Sequence, residues 1–314
     1  MVRFNPKARL DTSRVRDSGS GGGGGGLGGG GMRLPIPTGK GGIGGIVVLV
    51  VVFVIARLLG VDLGLGGASS AYTPARLSDA QEGSDRYADC KTGEDANNDP
   101  DCARVAVENS LYDYWESELG GKFRGEDGVV TFSGSVSTGC GNASSDVGPF
   151  YCPADETIYL DTTFFKDVYE DQLGGKDAPF VEMYVLAHEY GHHISNLLGF
   201  MTEASRRGQT GPQSGSVRLE LQADCYAGLW AQHATSTEDA AGEKLLTDLT
   251  QQDIDEALDA AKTVGDDYIQ KRSGGRVDEE GWTHGSSAQR QKWFMTGYDG
   301  GTLDSCDTFS IDRV

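Results

Sequence analysis

A chain of 314 residues with a formal charge of −20 is long enough for one substantial domain, and its acidity argues against nucleic acid as a partner, because a negative field repels phosphate backbones. The charge is unevenly placed: residues 1–60 carry eight Lys/Arg against two Asp, which leaves 19 Lys/Arg against 45 Asp/Glu for residues 61–314. The two regions are therefore read separately, the acidic one as a solvated surface.

Residues 1–17 are basic and polar, and residues 18–31 are glycine broken only by Ser18, Ser20 and Leu27. Such a composition predicts no packed structure, so residues 1–42 are expected to form a disordered tail. From Ile43 to Leu59 the sequence IGGIVVLVVVFVIARLL has Arg57 as its only charge. About 17 residues at ~1.5 Å each just cover a bilayer core of ~30 Å. Residues 43–60 are read as one uncleaved transmembrane helix rather than a signal peptide or a buried helix, because the segment in front is long and the run exceeds an ordinary signal core. Arg3, Lys7, Arg9, Arg14, Arg16, Arg33 and Lys40 precede it, so the positive-inside rule places the N-terminus in the cytoplasm and the remainder outside, as in a single-pass protein of the cell membrane. The small residues Ser69, Ser70 and Ala71 leave later release from the anchor open.

Six cysteines follow the apolar run, at Cys90, Cys102, Cys140, Cys152, Cys225 and Cys306, none in a CxxC spacing. They predict disulfides in an oxidising compartment, and the gaps suggest Cys90 with Cys102, Cys140 with Cys152 and Cys225 with Cys306. Residues 61–89 read as a linker and 90–314 as the folded domain. Asp99-Pro100 offers an N-cap followed by proline at the first helical position, so a helix starts there. Between 128 and 163 the runs VVTFSGSV, PFYC and TIYLDTTFF, separated by Gly, Asn, Asp and Pro, predict strands of a small sheet. Helical periodicity then predicts helices around 180–198, 216–234, 252–270 and 286–297. The fold class is α+β, mainly helical with a small sheet.

Within Phe180 to Gly199, FVEMYVLAHEYGHHISNLLG, apolar residues flank His188-Glu189-Tyr190-Gly191-His192. Residues four apart share a helix face, so both imidazoles can reach one ion, and Glu189, about 100° around from His188, stands beside it without ligating. Glu189 is the candidate general base toward water activated by the metal. Further on, SVRLELQADCYAG places Glu220 and Asp224 one turn apart on an amphipathic helix. Glu220 completes a His/His/Glu set around one Zn2+, and Asp224 is expected behind a ligand histidine, His188, fixing its tautomer. Two imidazoles and one carboxylate also suit Fe(II).

HEYGHHISNLLG, SVRLELQADCYAGLWAQH and THGSSAQRQKWF, with the glycine-rich tail, the apolar span and FYCPADETIYLD, resemble the putative neutral zinc metallopeptidase family of bacteria from Met32 to Phe309. The pairing of H-E-x-x-H with a downstream E-x-x-x-D also resembles the gluzincins. The resemblance implies a zincin-like domain with His188, His192 and Glu220 on zinc, Glu189 as base and Asp224 behind His188, acting on a polypeptide substrate. It also implies that the late His284 donates to the oxyanion, where the bland alternative is a loop histidine packed beside Trp282 ahead of a helix capped by Ser286 or Ser287. His193 and His233 are read as structural. An edge strand pairs with extended substrate in zincins, and Thr157–Thr162 is the candidate, set against an ordinary sheet strand. A membrane-anchored binding or scaffolding domain that keeps zinc only for stability is the competing function.

Overall fold

The computed structural model describes residues 2–20 and 86–314. The expected glycine tract, the anchor over 43–60 and the linker as far as residue 85 lie outside the described residues. Among the described residues no helix is long and apolar enough to cross a membrane.

In chain order the elements are β1 (Arg3–Phe4), β2 (Val15–Ser20), α1 (Gly93–Asn98), α2 (Pro100–Leu119), β3 (Gly128–Ser133), β4 (Ser135–Thr138), β5 (Gly141–Ser144), β6 (Phe150–Cys152) and β7 (Thr157–Asp161). There follow α3 (Pro179–Leu197), α4 (Phe200–Arg206), α5 (Gly215–His233), β8 (Leu246–Asp248), α6 (Gln251–Thr263), α7 (Asp266–Arg272) and α8 (Ser287–Tyr298). This is an α+β arrangement with a small sheet and a larger helical layer.

The main sheet has the order β2-β3-β7-β6, with β2, β3 and β7 parallel and β6 antiparallel on the far edge. Every residue of β7 is buried, as befits a strand covered on both faces and paired on both sides. Thr157–Thr162 is therefore no edge strand: β3 occupies one side of it and β6 the other, and β6 holds the edge. Downstream of Asp161 the expected strand gives way to a π-helical turn, Phe165–Glu170.

Asp99 caps α2 through its side chain, with Pro100 at the first helical position. Ser286 forms a capping box with Gln289 at the start of α8. The single helix expected over 252–270 is broken into α6 and α7 at Val264-Gly265. Gly265 lies so close to α8 that a Cβ there would sit 2.5 Å from the Ser287 backbone nitrogen. The three disulfides pair Cys90 with Cys102, Cys140 with Cys152 and Cys225 with Cys306.

The N-terminal residues depart most from expectation. Residues 2–20 are not a loose tail but a strap along the domain: β1 pairs with β8 and β2 with β3, and Val2, Phe4, Ala8 and Val15 enter the main core. Tyr87, expected in a linker, is also buried and hydrogen-bonds Thr131 and Arg104. Composition misleads here because the apolar partners of a few strap residues come from elsewhere in the chain. At the centre of the strap, Arg14 Nε donates to fully buried Glu108 at 2.6 Å. Burial and the nearby Glu126 carboxylate outweigh Arg14 and push the Glu108 carboxyl up to about 8, so Glu108 keeps its proton into the neutral range.

Candidate active site

The site is made where α3 crosses α5. Pro179 opens α3, and Gly199, with φ of 86°, follows its end in the left-handed region that glycine tolerates. The helix buries Phe180, Leu186, Tyr190 and Ile194 in the core. α5 is buried from Gly215 to Ala231 and is the central helix of the domain.

Gly191 allows the two helices to touch, since a Cβ there would lie 2.9 Å from both Cα and the carbonyl oxygen of Ala223. That contact sets Glu220 and Asp224, on either side of Ala223, against the His188 and His192 face. On the other side of α5, Gly228 and Gly297 permit the same closeness with α8: a Cβ on either would meet opposing backbone oxygen at 2.0 Å. The Cys225–Cys306 bridge further ties α5 to the C-terminal segment.

His188, His192 and Glu220 each bring one donor atom within 4.8 Å of the others. His188 Nε2 lies 3.2 Å from Glu220 Oε2, and His192 Nε2 lies 3.4 Å from Glu220 Oε1. Donors at ~2.0–2.1 Å from a tetrahedral ion are separated by ~3.3 Å, and the two separations between Glu220 and the histidines match that spacing. Burial opposes a charged Glu220 carboxylate, but His284 and His192 outweigh it and hold the group well below the usual range. It is ionised.

The Asp224 carboxylate, buried out of reach of solvent, organises the far side. Its Oδ1 accepts from His188 Nδ1 at 2.8 Å and from the Tyr184 hydroxyl at 2.6 Å. Arg290 closes a fork on it, with Nε to Oδ2 at 2.8 Å and Nη2 to Oδ1 at 2.9 Å. Burial would raise its pKa, but Arg290 and His188 carry it down to about 2. Burial likewise disfavours a charged His188 ring, yet Asp224 and Glu220 outweigh that and lift it to about 9 without metal. The expected hydrogen bond behind His188 is present, and it turns Nε2 toward the donor centre. His192 has no counterpart: its buried Nδ1 finds no partner among the described residues.

Glu189 is 7% exposed. Burial raises its pKa, while His192 and His188 pull the other way. Its carboxylate accepts no hydrogen bond from a described residue. His284 is brought to the same place by the loop before α8. Asp266 Oδ2 accepts from the backbone N–H groups of Thr283, His284 and Gly285, and its Oδ1 lies 3.4 Å from His284 Nδ1. Burial lowers the pKa of the His284 ring, but Glu220 and Asp266 outweigh it, and the net shift is upward.

His193 points away from this centre and bonds the Tyr151 hydroxyl and the Arg124 carbonyl. His233 stacks on Tyr114 at 5.6 Å. Both are structural. Sequence reading missed Arg290, Tyr184 and Asp266. For Arg290 there was a signal: it shares a helix face with Trp293, Phe294 and Gly297, all buried, and an arginine on an apolar face requires an acidic partner.

Two helices that present a buried His/His/Glu set with an unengaged carboxylate beside it define a metal site of the H-E-x-x-H class. The chain belongs to the putative neutral zinc metallopeptidase family, whose pattern matches residues 5–309. It is 49% identical over 256 residues to an uncharacterized protein of Mycobacterium tuberculosis, covering 81% of this chain and 85% of that one. It is 37% identical over 281 residues to the uncharacterized protein YpfJ of Escherichia coli, covering 87% and 88%. No solved structure matches the chain.

Proposed function

We propose that the protein is a zincin-like, gluzincin-type endopeptidase that hydrolyses peptide bonds with one Zn2+ held by His188, His192 and Glu220. The convergence of these three buried donors within 4.8 Å of one another, with Glu189 beside them, carries the reading. Zinc, when bound, supplies Lewis acidity that lowers the pKa of water and polarises a carbonyl.

The remaining work belongs to the chain's own residues. Glu189 accepts the proton of the attacking water and passes it to the leaving amine. Asp224 holds His188 in the tautomer whose Nε2 faces the donor centre, and Arg290 keeps Asp224 ionised while it does so. His284 is fixed through Nδ1 by Asp266, which leaves Nε2 to donate to the carbonyl oxygen as it gains negative charge. An extended polypeptide finds backbone partners at the sheet edge formed by β6, which abuts α3 through Tyr151 and His193.

The competing function, a zinc-stabilised binding or scaffolding domain, is disfavoured by Glu189. A structural site has no use for a buried base and fills its fourth position with protein. The three disulfides favour an extracytoplasmic location, with membrane association through residues 43–59.

The test uses the full-length chain in detergent with unfolded casein as substrate. Glu189→Gln is expected to lower kcat/KM by ~10²–10⁴ while keeping its metal, and metal analysis of protein purified without supplement separates zinc from iron. Equal cleavage by wild type and variant, or cleavage that survives a chelator, overturns the proposal.

A further inference from the structure

Residues 2–20 precede the apolar run 43–59 and residues 86–314 follow it, yet the two pieces form one packed body. Val15, Arg16 and Asp17 ladder in parallel with Val129, Val130 and Thr131, and Arg3 and Phe4 pair with Asp248 and Leu246. The fit continues beyond the ladders. Asn97 both donates to and accepts from the Phe4 backbone, Asn109 does the same with Asp11, and Val2 N–H donates to Asp253. Gly93 is packed so tightly against the strap that a Cβ there would lie 2.0 Å from the Asn5 carbonyl oxygen. Arg14 supplies the cation of a buried acid pair. The family match also begins inside the strap, at residue 5. The groove on the domain is thus shaped and charged for this segment.

We infer that residues 2–20 and 86–314 of one chain lie on the same face of the membrane, so that the chain between them does not cross the bilayer a single time. One crossing would hold β2 and β3 on opposite sides of a core ~30 Å thick, where hydrogen bonds between them cannot form. Two crossings need ~40 apolar residues, and the run supplies 17. Attachment through 43–59 is therefore made from one face.

This reverses the topology expected from the positive-inside rule, for a physical reason. Basic residues ahead of the run have partners in the acidic domain: Arg14 pairs with Glu108, and Arg16 donates to the Asp127 carbonyl. The charge of Arg14 serves docking and so does not report the cytoplasmic side. The disulfides then assign the N-terminus, with the domain, to the oxidising compartment. The inference does not rest on the peptidase reading.

Cysteine labelling in whole cells tests it. Lys7→Cys on the strap and Val277→Cys on the domain, both at exposed positions, are introduced separately into the full-length chain and treated with a membrane-impermeant maleimide before and after permeabilisation. Labelling of both in intact spheroplasts, or protection of both until permeabilisation, is expected, with the first outcome also placing the body outside. Labelling of Val277→Cys in intact spheroplasts with loss of the Lys7→Cys signal until permeabilisation overturns the inference. Phe4→Asp in the Lys7→Cys background guards against a strap docked only weakly: it is expected to make the N-terminus newly sensitive to protease in purified protein, and unchanged sensitivity counts against docking.

Discussion

Replacing Arg290 with methionine keeps most of the side-chain volume and removes the one guanidinium that, among the described residues, holds Asp224. The carboxylate retains His188 Nδ1–H and the Tyr184 hydroxyl but loses both arms of a fork made at 2.8 and 2.9 Å. Both partners are buried, Asp224 at 0% and Arg290 at 3% exposure. Breaking such a pair from one side costs about 3–5 kcal/mol, because the remaining charge is left uncompensated. In a domain of this size that is a fall in Tm of roughly 6–20 °C. The metal feels it as well, since outer partners of a ligand histidine are worth about 10–100-fold in affinity. Thermal unfolding of metal-free protein and chelator competition for zinc measure the two effects. Adding Asp224→Asn to Arg290→Met removes the stranded charge, so the double variant regains much of the lost stability although each single change is costly. A single variant with unchanged Tm and zinc affinity, or a double variant as unstable as the sum of the singles, refutes the argument.

His284→Ala is expected to lower kcat by about 10²–10³ with zinc affinity preserved; steady-state kinetics with a defined peptide checks this, and a fall in zinc content instead would make His284 a ligand. Gly191→Ala drives a methyl group into the Ala223 backbone, so α3 and α5 separate and zinc binding weakens, which chelator competition reads. Stability should also depend on pH through Glu108, whose carboxyl lies at about 8 in the fold against 4.5 ordinarily. The folded state then holds a proton that the unfolded chain has released, so the stability present below pH 4.5 is lost as pH rises toward 8, at up to ~1.4 kcal/mol per pH unit. Denaturant titrations at pH 5 and pH 8 should show Glu108→Gln flattening this slope; an equal slope in wild type and variant would falsify the assignment.

Much of the centre was legible because it is local. The four-residue spacing of His188 and His192, and of Glu220 and Asp224, is a property of the helix itself, so one periodicity argument places each pair on a face. Caps at Asp99 and Ser286 and the short disulfide loops are local in the same sense, and all appear as expected. The break at Gly265 had a local signal, a glycine followed by Asp266 and Asp267 in the first turn of the next helix, which the helical periodicity over 252–270 masked; the close approach of α8 to that glycine was not legible.

By itself, then, the sequence determined the donor set: residue types and helical spacing suffice to say which side chains share a face. The tertiary structure decided what those faces meet. Asp224 and Arg290 are 66 residues apart, and β2 joins β3 across more than a hundred, and no periodicity spans such gaps. Whether β7 is an edge or an interior strand depends on which strands settle beside it. Pairing between distant segments follows from the burial and charge of the assembled body, and in this protein that assembly put the N-terminal strap and the metal helices into one core.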